Sequence, residues 1–146
     1  MKVLLVEDDP AISALLQRYL GRNQHQVVAF ASSPDALQAF RADPGVFDVA
    51  ITDLSLKDIS GEELVLKFLE LRPDFPVVIA TGYSYSVSHL PAAIRPCIRV
   101  LLKPFLPKQV LEILAAIHPA PAPAPATRPA EIASTIAPQL SSLAVA

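Results

Sequence analysis

Five short apolar runs, each followed by a segment with helical spacing, set the limits on what this chain can fold into. The runs are Lys2 to Val6, Gln26 to Phe30, Val49 to Asp53, 77–80 and Ile98 to Leu102. Runs this short and this rich in β-branched residues read as strands, and as strands buried on both faces where apolar residues are continuous, as in Val49-Ala50-Ile51. Strands alternating with helices imply right-handed crossovers and a parallel sheet covered on both sides. The expected fold class is α/β: a three-layer sandwich with a five-stranded parallel sheet and five helices.

The punctuation agrees. Asp9-Pro10 offers an N-cap followed by a proline at the first helical position, with Ile12, Leu15, Leu16, Tyr19 and Leu20 behind it and Gly21 as the stop. Ser33-Pro34 repeats the opening pattern for a helix carrying Leu37 and Phe40. Ser60 and Glu63 have capping-box spacing ahead of Leu64, Leu66, Phe68, Leu69 and Leu71. Val87, Leu90 and Ile94 are spaced roughly as on a helix, but Pro91 falls among them, so residues 84–95 are expected to be a short or irregular helix. Pro107 opens the last helix. From His118 the composition changes to a Pro-Ala tract, Pro119 to Ala126, followed by an Ala/Ser-rich end. The expectation is one domain over 1–118 and a tail over 119–146, an extended spacer that is disordered or weakly helical.

The chain of 146 residues is 52% hydrophobic with a formal charge of −2, which supports a buried core and argues against a nucleic-acid-coating surface. One cysteine, Cys97, excludes an internal disulfide framework and reads as a small core residue. No apolar stretch reaches the roughly 18 residues of a membrane span, and no signal-peptide layout opens the chain. The expected location is the cytoplasm. His25, His89 and His118 are too far apart in sequence for metal-site spacing.

In a parallel sheet all strand carboxyl ends share one edge, where open α/β sheets bind ligands. That edge carries Glu7-Asp8-Asp9 after the first run, Asp53 at the end of the third, Thr81-Gly82 after the fourth and Lys103-Pro104 after the fifth. Asp9 is expected only to cap a helix. Periodicity leaves the strand order open; 2-1-3-4-5, the flavodoxin-like order, is one common solution and brings Glu7, Asp8 and Asp53 together. Three adjacent carboxylates repel, and a hard divalent cation such as Mg²⁺ relieves the conflict. Adding a hydroxyl from Thr81 and an ammonium from Lys103 completes the parts needed to handle a phosphoryl group, with Asp53 as nucleophile. The proline after Lys103 permits a cis bond that aims the ammonium across the strand ends.

Glu7-Asp8, Asp53, Thr81 and Lys103-Pro104-Phe105, in this order and at these spacings, resemble the receiver domain of two-component response regulators, over Lys2 to about Ile117. The resemblance implies that Asp53 takes a phosphoryl group from a phosphohistidine on a sensor histidine kinase or a histidine phosphotransfer protein. It implies Mg²⁺ held by Asp8, Asp53 and the backbone carbonyl of Ser55, with Glu7 acting through water. It implies that Thr81 turns toward the phosphate, that Lys103 pairs with it, and that Ser55 and Tyr83 tune its loss.

Two features depart from that family. The position three before Lys103 usually carries an aromatic that swings inward; here it is Val100. Residues 119–146 are too few to fold as an output domain, so no DNA binding is expected and the output is contact with a protein target, with a homodimer left open. The competing expectations are a phosphorylation-independent adaptor on the same fold, and a phosphatase working through an aspartyl phosphate. Ser55 stands where such a hydrolase needs an acid, so the chain is not expected to be an enzyme.

Overall fold

Strand and helix alternate as the punctuation implies in the computed structural model, which describes residues 1–117. The strands are β1 (Lys2–Val6), β2 (Gln26–Phe30), β3 (Val49–Asp53), β4 (Val77–Thr81) and β5 (Ile98–Leu102). The helices are α1 (Pro10–Arg22), α2 (Ser33–Ala42), α3 (Gly61–Leu71) and α4 (Pro107–Ile117). The chain divides into two compact units, Met1–Val110 and a second starting at Leu111. The described part of the second is the rest of α4. The expected tail at 119–146, and His118, lie outside the described residues.

The sheet is parallel throughout, in the order β2-β1-β3-β4-β5. β3 and β4 are buried along their whole length, and β1 from Val3 onward, as their unbroken apolar runs require. β2 and β5 are the edges and are partly exposed. Between the sheet and helices α2 and α3 lies an aromatic knot. The Phe40 ring sits 4.7 Å from those of both Phe68 and Phe75. Arg72 closes its rim, donating to the carbonyls of Pro44 and Phe47 while lying 5.0 Å from the Phe75 ring.

The helix starts follow local chemistry, with two corrections. Asp9 caps α1 through the amides of Ala11 and Ile12, and Ser60 caps α3 through that of Glu63. The α2 cap is Ser32, not Ser33: Ser33 is already helical, buried, and donates its hydroxyl to the Ile59 carbonyl at 2.7 Å. Gly21 does not stop α1. The helix runs on to Arg22, and Gln24 takes the left-handed turn at φ 69°. The amides of Gln24 and His25 return to the carbonyls of Gly21 and Leu20, the paired bonds that close a helix this way.

Four α-helices lie among the described residues. The expected short or irregular helix is a strap of turns ending in one 3₁₀ turn, Arg95–Cys97. Its apolar spacing is nonetheless used: Leu90 is buried, with Tyr85, Val87 and Ile94 packed on the core. Alternating serines divert the backbone, as when Ser86 Oγ accepts the Ser88 amide, and Pro91 removes a donor.

Candidate functional site

Register decides what meets at the carboxyl edge. Val6 pairs with Thr52, and Asp53 with Ala80, so Glu7 comes level with Asp53 on the neighbouring strand. Thr81 pairs with Leu102, which puts Lys103 just above it, and the Lys103 amide donates to the Thr81 carbonyl at 2.7 Å. Each of Glu7, Asp8 and Asp53 offers a carboxylate oxygen within 4.8 Å of the others. Such a donor set of hard oxygens suits a small divalent cation. Lys103 Nζ stands 3.3 Å from Asp53 Oδ2 and 3.7 Å from Glu7 Oε1. The Lys103–Pro104 peptide is cis.

Two of the carboxylates are buried. Glu7 is 5% and Asp53 9% exposed. Burial pushes the Glu7 carboxyl above its usual range; the Asp9 amide on Oε2 and the Lys103 ammonium pull it back, while Asp53 and Asp8 add to the rise. Asp53 Oδ1 accepts the Ser55 amide at 3.3 Å, leaving Oδ2 facing the ammonium.

Glu7, Asp8, Asp53 and Lys103 thus form one cluster. Thr81 stands at the same edge, but its hydroxyl is bonded to the Tyr83 backbone, donating to the carbonyl at 3.1 Å and accepting the amide at 3.3 Å. Ser55 Oγ and Tyr83 Oη are 2.8 Å apart, a hydrogen bond joining the loops after β3 and β4. Val100 is an exposed residue of β5.

One residue under the site escapes the sequence reading. A Cβ on Gly61 would lie about 2.6 Å from Leu54 Cα and closer still to the Asp53 carbonyl oxygen. The first turn of α3 is therefore seated on the backbone of Asp53, and the Gly61 amide donates to the Leu54 carbonyl. A glycine just inside a capped helix is the available signal, and it marks close approach only once the partner is known.

A family model described as a response regulator receiver domain matches residues 3–115. The chain belongs to this family. The receiver is 29% identical over 113 residues to a two-component response regulator of Oryza sativa subsp. japonica, covering 77% of this chain and 18% of that protein. It is 29% identical over 112 residues to the DNA-binding transcriptional regulator NtrC of Azospirillum brasilense, covering 77% of this chain and 23% of the relative. The chain thus spans about a fifth of the length of such curated relatives. Among solved structures, a CheY-like receiver domain protein from Methanospirillum hungatei superposes with a TM-score of 0.68 at 29% identity, covering 79% of this receiver and 90% of that chain. The response regulator TrrA from Thermotoga maritima, in complex with Mg²⁺ and BeF, gives 0.68 at 25% identity, covering 80% and 97%. The receiver fold, with its flavodoxin-like strand order, is that of the resemblance. No described helix is long and apolar enough to cross a membrane.

Proposed function

We propose that this receiver accepts a phosphoryl group on Asp53 from a phosphohistidine of a sensor kinase or phosphotransfer protein, and passes the change on through protein contacts. The observation that carries the reading is the cluster itself: a nearly buried Asp53 with an ammonium 3.3 Å from one carboxylate oxygen and two further carboxylates beside it. In the transfer, Oδ of Asp53 forms a bond to phosphorus as the N–P bond breaks, and the imidazole leaves with the electron pair. Lys103 offsets charge on the phosphoryl oxygens. Glu7, Asp8, Asp53 and the Ser55 carbonyl are the groups suited to Mg²⁺, which when bound supplies charge neutralisation at the same oxygens. Thr81, on leaving the Tyr83 carbonyl, is the hydroxyl that would hydrogen-bond the product. The Ser55–Tyr83 hydrogen bond joins the loops after β3 and β4 and would slow attack by water on the acyl phosphate. The receiver family is a signalling module, and enzymatic turnover forms no part of this reading.

Intact mass after incubation with Mg²⁺ and acetyl phosphate tests it. Native chain should gain one phosphate; Asp53→Ala, or native chain without Mg²⁺, should gain none. Val100, exposed where a switching aromatic is usual, favours a second reading, an adaptor that binds its target without phosphorylation. That reading predicts neither phosphate nor beryllofluoride uptake by the native chain.

A further inference from the structure

One carboxylate oxygen of α3 hydrogen-bonds two side chains of the strap between β4 and β5. Glu62 Oε1, in the first turn of α3, accepts the Tyr85 hydroxyl at 2.5 Å and is 2.7 Å from His89 Nε2. The Tyr85 and His89 rings meet edge to face at 5.8 Å, so the three side chains form one cluster. Tyr85 also packs on the core. Arg95 holds the far half of the strap to itself, donating to the carbonyls of Leu90 and Ser88 at 2.8 Å. None of these groups belongs to the acidic site.

The near end of the strap is the Thr81 hydroxyl. It both donates to and accepts from the Tyr83 backbone, and Tyr83 lies two residues before Tyr85. A hydroxyl that donates to an oxygen at Asp53 must give up the bond it donates to the Tyr83 carbonyl, which loosens the backbone just ahead of the Glu62 anchor. With Val100 in place of a ring on β5, a change at Asp53 has this covalent and hydrogen-bonded route open to it.

We propose that Glu62 is a latch: by holding Tyr85 and His89 it keeps the strap, and through Tyr83 the Thr81 hydroxyl, in the unswitched arrangement, so that occupation of Asp53 is read out as release of the strap. The proposal rests on the phosphoacceptor reading above and assigns Glu62 a positioning role, not a catalytic one. Coupling is reciprocal. If the latch opposes switching, removing it must strengthen binding of a phosphoryl mimic at Asp53, which Glu62 does not touch.

The test measures beryllofluoride affinity in the presence of Mg²⁺, with hydrogen exchange of strap peptides, for native chain, Glu62→Ala and Tyr85→Phe. The tyrosine variant removes one hydroxyl and keeps the packed ring, which guards against simple misfolding. Native chain should bind, and its strap should exchange faster when it does. Both variants should exchange faster without ligand and bind beryllofluoride about 5-fold more tightly or better, the lower end of ordinary allosteric coupling. Native binding that neither variant alters overturns the latch alone. A native chain that does not bind overturns the phosphoacceptor reading, and the latch with it.

Discussion

Glu7 carries the clearest pH dependence of any single residue in the site. Burial raises its pKa, so the folded protein holds that proton more tightly than the unfolded chain does. The resulting stabilisation is complete below the unfolded value, about 4.3, and is lost as pH rises through the raised folded value. Above that, an ionised and buried Glu7 costs stability. Glu7→Gln should therefore melt at a higher temperature than native chain at pH 7 in metal-free buffer. The gain should vanish below about pH 4, where both forms are neutral. Thermal unfolding at the two pH values checks it. Destabilisation at pH 7 would mean that the contact with Lys103, 3.7 Å away, outweighs the burial.

Among the elements, α1 shows how a helix end can be built against propensity. Gln24 adopts φ 69° at the position where glycine is favoured, because the return bonds to Leu20 and Gly21 and the side-chain bond from Asn23 to the Tyr19 carbonyl require that turn. Gln24→Gly should relieve the left-handed strain, which exceeds glycine's extra entropy cost, and stabilise the fold by about 0.5–1 kcal/mol. Urea unfolding measures this through a higher midpoint at unchanged slope. The strap is the converse case. Its apolar residues reach the core at the positions a helix would use, yet serine side chains and Pro91 leave no helical ladder to carry them.

For the molecule as a whole, the site gathers three carboxylates from two strands beside one ammonium, and a divalent cation would relieve the repulsion among them. Mg²⁺ at about ten times its dissociation constant should then raise stability by about 1.4 kcal/mol. Melting curves with and without Mg²⁺ should show this for native chain and lose it in Asp8→Ala. An equal shift in the variant would place the cation elsewhere.

The five strands, the four described helices, the caps Asp9 and Ser60, and the residues that end each strand were readable along the chain. These follow from local properties: burial of continuous apolar runs, side-chain oxygens meeting free amides, and proline's missing donor. Glu7, Asp8, Asp53, Thr81 and Lys103 were legible as one group because parallel strands must put their carboxyl ends on one edge. The rest came from packing and register. Periodicity carries no register, so the level match of Glu7 with Asp53 came from the pairing of Val6 with Thr52. The need for Gly61 came from the closeness of the Asp53 backbone. The tie from Glu62 to Tyr85 and His89 spans more than twenty residues of chain. Contacts between residues far apart in sequence depend on how whole elements pack, and no local pattern encodes that distance.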